Sequence, residues 1–119
     1  VQGSLRDGAK KIFRGTIDFK TGASDSVGNE QETVLMLGED VENKTVPVIL
    51  CSEENVVGNH GATIGELDED TLFYLASRGI SREQAENMMA RAGVERLKSL
   101  IADEAFTAMI DEELGGNSI

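Results

Sequence analysis

The feature that most constrains this chain is a change of texture near Gly65. Residues 1–65 are rich in Gly, Val, Thr and Asn, whereas residues 66–114 are rich in Ala, Leu, Met and Glu and poor in Gly. β-Branched residues suit a pleated, half-buried surface, while Ala and straight-chain residues suit a helix. Strands are expected first and helices second, an α+β chain whose two kinds of element are segregated along the sequence.

Within the first part, Phe13, Ile17 and Phe19 alternate with Arg14, Thr16, Asp18 and Lys20. A period of two puts one set of side chains on a core face, so this segment predicts a half-buried strand. Apolar runs at residues 33–37 and 46–50 follow across polar, Gly- or Asn-containing stretches that suit turns. Pro47 cannot donate to a ladder and belongs at an edge or a strand start. Such strands fit a meander or the rungs of a solenoid. No repeat of fixed period is evident over these residues, where only two or three coils have room.

The second part predicts three helices. Asp68 is placed to cap the first, with Glu69 and Asp70 favoured by the positive end of the helix dipole, and Arg78-Gly79 ends it. Ser81 and Gln84 form a capping-box pattern for the second, with an apolar stripe of Ala85, Met88, Met89 and Ala92, and Gly93 is expected to close it. A third runs from Val94 to the Gly115-Gly116 stop, with Leu97, Leu100, Ile101, Ala105, Ala108 and Met109 on one face and a break near Asp103. These helices are expected to pack on one another and cap the end of the strand region.

Charge and cysteine usage narrow the function classes. The 119 residues carry 11 Lys and Arg against 22 Asp and Glu, a formal net charge of −11. That balance opposes nucleic-acid phosphate and anionic lipid alike. No stretch approaches the roughly 20 apolar residues of a membrane span, and the first eleven residues lack the apolar core of a signal peptide. The chain opens on Val1 in mid-pattern, as a piece excised from a longer polypeptide would. A single Cys excludes an internal disulfide and fits the reducing cytoplasm.

The only Cys and the only His, Cys51 and His60, lie in one stretch, residues 51–65. Thiolate and imidazole are ligand types suited to iron and iron–sulfur chemistry, but nine positions apart they match no closed metal-site pattern. At most they are half a site, completed by another chain. The competing readings are a buried thiol with a hydrogen-bonded His, and nucleophilic attack by Cys51 with His60 as base. Gly58 to Gly65 lacks the Lys-Ser/Thr sequel of a phosphate-binding loop and reads as a turn. Glu66, Asp68, Glu69 and Asp70 lack the ligand pattern of a calcium loop and read as helix capping. The basic cluster Lys10, Lys11 and Arg14 and the acidic one, Asp103, Glu104, Asp111, Glu112 and Glu113, read as solvated faces. Leu72, Phe73, Tyr74 and Ile80 are candidates for a docking surface, with core packing as the competitor.

From His60 to Ser81 the sequence His60-Gly-Ala-Thr-Ile-Gly-Glu-Leu-Asp-Glu-Asp-Thr-Leu-Phe-Tyr-Leu-Ala-Ser-Arg-Gly-Ile-Ser81 resembles the signature of the SufB/SufD family of iron–sulfur cluster assembly proteins. The resemblance runs back through residues 4–19 and 31–50 and forward through Arg82-Glu-Gln-Ala85, covering nearly the whole chain. It implies the terminal coils of a parallel β-helix, a β-solenoid, over residues 1–65, followed by a small C-terminal helical domain over residues 66–119. It also implies a cytosolic, non-catalytic scaffold that pairs with a SufB/SufD homologue, or with itself, and binds the ABC-type ATPase SufC. A transient iron–sulfur cluster would be built in the full complex, any flavin would sit elsewhere in that assembly, and neither is expected on this chain alone.

By the same resemblance Cys51 is a sulfur acceptor or cluster ligand and His60 a cluster ligand. Leu72, Phe73, Tyr74, Arg78, Gly79 and Ile80 become the candidate ATPase contact. The His60-Gly-Ala-Thr run leans toward SufD, the Cys at position 51 toward SufB. From other classes, the competing readings are a β-helix acyltransferase with His60 as general base and a structural pairing module in which both residues are inert.

Overall fold

In a computed structural model of the chain, residues 1–116 are described. Five strands come first: β1 (Gln2–Arg6), β2 (Lys10–Phe19), β3 (Val27–Leu37), β4 (Glu42–Cys51) and β5 (Val57–Gly65). Three helices follow, α1 (Glu69–Ser77), α2 (Arg82–Lys98) and α3 (Glu104–Gly116). The last three residues of the expected helical segment, 117–119, lie outside the described residues.

Successive strands alternate between two parallel sheets, one ordered β1-β3-β5 and the other β2-β4. Gln2 pairs with Thr33, Lys10 with Glu42 and Val27 with Val57, so each strand lies beside the one about thirty residues later. The corners stack in the same way. Asp7 and Gly8 take positive φ (53° and 72°) to turn the chain out of β1, and the Gly8 amide donates to the Asp40 carboxylate of the next corner at 3.0 Å. On the opposite side, the Gly22 amide donates to Glu53 at 2.9 Å and the Asp25 amide to the Asn55 carbonyl at 2.7 Å.

This register uncovers a repeat not evident from composition and spacing. Val27-Gly28-Asn29 recurs as Val57-Gly58-Asn59, and the two triplets lie side by side, with the Asn59 side-chain Nδ2 donating to the Asn29 side-chain Oδ1 at 3.0 Å. Residues 58–65, expected as a turn, are therefore strand. The glycines that suggested a turn serve close approach instead. A Cβ on Gly28 would stand 2.7 Å from Ile17, and one on Gly58 3.1 Å from Phe19, so side chains at 28 and 58 would force the sheets apart.

Phe13, Ile17 and Phe19 turn inward from β2 as the alternation predicts, and Phe19 is buried. Pro47, on β4, pairs with Gly15 of β2 in a two-stranded sheet whose strands are both edges, where its missing donor is tolerated. Leu5, Val34 and Val41 form the apolar core, with Ala9 and Met36 packed against it. Beside that core lies a buried carboxylate. Glu32 accepts from the Lys11 ammonium and the Thr45 hydroxyl, and Lys11 also donates to Asn43 at 3.1 Å. Burial pushes the Glu32 carboxyl up, but Lys11, Thr45 and Asn43 outweigh it and hold the group below the ordinary carboxylate range.

The helices begin where their caps place them. The Asp68 carboxylate accepts from the amides of Asp70 and Thr71, and Ser81 and Gln84 exchange both bonds of a capping box. At the end of α1 the Gly79 amide donates to Ala76 and the Ile80 amide to Leu75, with Gly79 at φ 82°, a Schellman ending. Gly93 does not close α2, which continues to Lys98, and the break comes before the Asp103 carboxylate caps α3 through the Phe106 amide at 3.0 Å. Here glycine serves contact, since a Cβ on Gly93 would stand 2.6 Å from Gln2.

The buried residues of α2 are small, Ala85 and Ala90, and Gly93 lies against Gln2, whereas Met88 and Met89 of the expected stripe are 54% and 44% exposed. Small side chains let the helix backbone approach β1, and Arg6 of that strand donates to Asn87 at 2.9 Å. The longest helix thus lies against the first strand rather than capping the last. This leaves β5 as the uncovered outer strand of the three-stranded sheet, while β2 and β4 are both edges of theirs.

Candidate functional site

Cys51 is the last residue of β4, in register with Phe19, and it is exposed. Its thiol donates to the Glu53 carbonyl at 3.0 Å. His60 is the fourth residue of β5, in register with Glu30, and is also exposed. No hydrogen bond or ion pair from a described residue orients its imidazole, whereas a general base is normally held by a third group.

Alternation along the strands places both residues on the inner faces of the two sheets. Gly28 and Gly58 face Ile17, Phe19 and Ile49, and Gly15 lies under the Glu30 carboxylate, so Glu30 and its neighbour His60 point between the sheets. Cys51, two residues beyond Ile49 on β4, shares the inner parity of its own sheet. Position 58 lies across from 49, which sets 60 across from 47 and 51 across from 56. Four residues of strand separate the two levels, about 13 Å at the usual rise. One copy of the chain therefore shows thiol and imidazole on the same open end without joining them in one coordination sphere.

Among the described residues no group of three or more His, Cys, Asp or Glu side chains is placed to hold a metal ion. A cluster would need ligands from elsewhere, because Cys51 and His60 supply two at most. The strands that carry them expose aliphatic side chains on both faces: Ile49 and Ile64, 39% and 45% exposed, on the inner one, and Val48, Leu50 and Val57, 38%, 49% and 53% exposed, on the outer. Such edge strands carry unpaired backbone donors and acceptors beside exposed aliphatic side chains, a ready template for another chain.

The second expected patch lies on α1 and its ending. Phe73 is 78% exposed and Tyr74 56%, with the Arg78 guanidinium over the Tyr74 ring at 5.1 Å. Leu72 points the other way and is buried, so it anchors the helix instead of presenting a contact. Gly79 makes the turn and Ile80 is half-buried behind it. The Arg82 guanidinium donates to Glu69 at 2.6 Å and fastens α1 to α2. That bond, with the Glu69 charge, raises the Arg82 pKa.

Glu30 was missed by sequence reasoning. Its signal is the repeated Val-Gly-Asn triplet, which puts residues 30 and 60 at equivalent positions of successive strands.

Residues 1–93 match the family model described as SUF system FeS cluster assembly, SufBD core domain. The chain belongs to that family. Among curated relatives it is 37% identical over 87 residues, 73% of this chain, to the iron–sulfur cluster assembly protein SufD of Bacillus subtilis. To SufD of Escherichia coli it is 29% identical over 111 residues, 93% of the chain. A SufBD family protein of Staphylococcus saprophyticus is 32% identical over 90 residues, 76% of the chain. The matches span 20%, 26% and 19% of those relatives' lengths. Within the family the chain is SufD-like. No helix among the described residues is long and apolar enough to cross a membrane.

Proposed function

We propose that this chain is part of a non-catalytic scaffold for iron–sulfur cluster assembly in the cytoplasm, pairing with a SufB/SufD homologue through β4 and β5 and holding a SufC-type ATPase on its helices. The observation that carries this is the exposure of Cys51 and His60, beside an aliphatic surface, on the two strands that end the sheets. The cluster is cargo. A pairing chain would supply the missing ligands, with Cys51 accepting sulfur or binding the cluster and His60 binding it.

Three further parts belong to this reading. The strand alternation and stacked corners support terminal coils of a parallel β-helix over residues 1–65, with residues 66–119 as a separate helical domain. Phe73, Tyr74 and Arg78 form the ATPase contact, Gly79 and Ile80 shaping its rim, since exposed aromatic and Arg side chains dominate interface energetics. A flavin, where one takes part, binds elsewhere in the complex.

The test is reconstitution of the full-length complex with sulfur donor and ferrous iron. Cys51→Ala and His60→Ala are expected to slow cluster formation singly and together. Wild-type rates in all three variants would reject the site. Failure of an ABC-type ATPase to co-purify with the full-length protein would reject the helical contact.

A further inference from the structure

We infer that the side chains of Lys11, Glu32, Asn43 and Thr45 act together as a register lock, holding β2, β3 and β4 in one stacking alignment against alignments two residues away. The four form a closed ring of hydrogen bonds across the two sheets. The Lys11 ammonium donates to one Glu32 carboxylate oxygen and to Asn43 Oδ1 at 3.1 Å, the Thr45 hydroxyl donates to the other carboxylate oxygen, and Asn43 Nδ2 donates to Thr45 Oγ1 at 3.2 Å. Each member touches two of the others.

A one-residue slip needs no special guard, because it would turn every inward side chain of a strand out to solvent. A slip of two residues keeps inside and outside as they are. The inward residues of β2 after Lys11 are Phe13, Gly15, Ile17 and Phe19, and those of β4 after Thr45 are Pro47, Ile49 and Cys51, so shifting one row against the other sets small or apolar groups against apolar groups again. The apolar pattern therefore discriminates weakly. Tight hairpins do not set the alignment either, since β2 and β4 are parallel and are joined through β3. Corner bonds such as Gly8 to Asp40 lie at the exposed surface.

The ring supplies the missing discrimination. Glu32 is 1% exposed and its register neighbour on β5 is Ala62, so the buried charge occurs at one level of the stack and meets its donors at that level. Lys11 pairs with Asn43 and Phe13 with Thr45. Moving β4 by two residues would carry Asn43 and Thr45 about 6.6 Å along the strands, beyond hydrogen-bond reach. The carboxylate would stay buried with part of its partners gone, a penalty that falls on the slipped alignment alone. Polar groups buried in this way select a register without adding stability over an apolar core of the same shape. The effect reaches the far end of β4, because a two-residue slip would move Cys51 by one inward position relative to its neighbours. The lock itself rests on the hydrogen-bond ring and requires no role for that thiol.

The experiment reads register by disulfide trapping in the full-length protein. Thr16 and Val48 are register partners on the outer faces of β2 and β4, at a spacing a disulfide bridges, whereas Thr16 lies about 8 Å from Val46 and from Leu50, too far to bridge. Thr16→Cys is combined in turn with Val48→Cys, Val46→Cys and Leu50→Cys, and the bridged peptides are quantified by mass spectrometry after mild oxidation. In the otherwise wild-type protein the bridge is expected with Val48→Cys and not with the other two. Adding Lys11→Met and Glu32→Leu together should leave the thermal midpoint at or above the wild-type value and raise the slipped bridges about tenfold or more. Lys10→Met with Glu42→Leu, which removes the exposed ion pair on the outer face of the same two strands, should hold the wild-type pattern, and equal slippage there would overturn the lock. A folded Lys11→Met, Glu32→Leu protein that closes the native bridge alone would overturn it as well, leaving the ring a stabilising feature only. Should that variant not fold, Thr45→Val decides, since it removes the carboxylate's partner on β4: slipped bridges would uphold the lock and their absence would reject it.

Discussion

Glu32 is 1% exposed, and the structure meets the cost of burying it with one ammonium and one hydroxyl. Removing a partner is worse than removing the pair, because the remaining charge stays buried and uncompensated. Lys11→Ala is therefore expected to destabilise the fold by about 3 kcal/mol, the low end for such sites because the Lys11 side chain keeps 21% exposure. Denaturant unfolding followed by circular dichroism measures this. The same carboxylate makes stability depend on pH. Its pKa in the fold lies below the unfolded value of 4.5, so its contribution is complete above that pH and is lost as pH falls through the folded value. The stability gap between wild type and Glu32→Gln should be constant near neutrality and close below pH 4.5. None of this was legible beforehand, since Lys10, Lys11 and Arg14 read together as a solvated basic face. Only Lys10 and Arg14 are exposed, because the period of two turns Lys11 inward.

At the scale of elements, the helices were the more legible part because their signals are local. Asp68, Ser81 with Gln84 and the Arg78-Gly79 ending act within a few residues of themselves. Ser81→Ala should cost about 1 kcal/mol, read as a lower midpoint of thermal unfolding. The glycines misled for the opposite reason. Gly58 and Gly93 punctuate nothing locally, and what requires them is a neighbour distant in sequence, Phe19 in one case and Gln2 in the other. Gly28→Val is expected to destabilise by about 1–3 kcal/mol through overpacking against Ile17. Phe73→Ala and Tyr74→Ala test the proposed ATPase contact. Each should weaken binding by about 2 kcal/mol, roughly thirtyfold in dissociation constant by titration calorimetry, without lowering thermal stability, since both side chains are largely exposed.

For the molecule as a whole, the placement of α2 against β1 matters most, because it leaves β5 as the uncovered outer strand of the three-stranded sheet, and β5 with β4 is the surface proposed above for a pairing chain. A charge on such an edge obstructs strand pairing with little harm to the monomer. Leu50→Lys, at an outward-facing position of β4, should therefore abolish the proposed pairing with a homologous chain in size-exclusion chromatography of the full-length protein while leaving circular dichroism intact. The sequence by itself determined what depends on near neighbours: strands before helices, inward alternation on β2, the helix caps, and one thiol and one imidazole on a single short stretch. The tertiary structure decided what depends on residues some thirty positions apart. Parallel register placed His60 beside Glu30, and the facing of two sheets set Cys51 and His60 at levels about 13 Å apart along the strands. The physical reason is that capping and periodicity are written in adjacent residues, whereas register is a property of two strands at once.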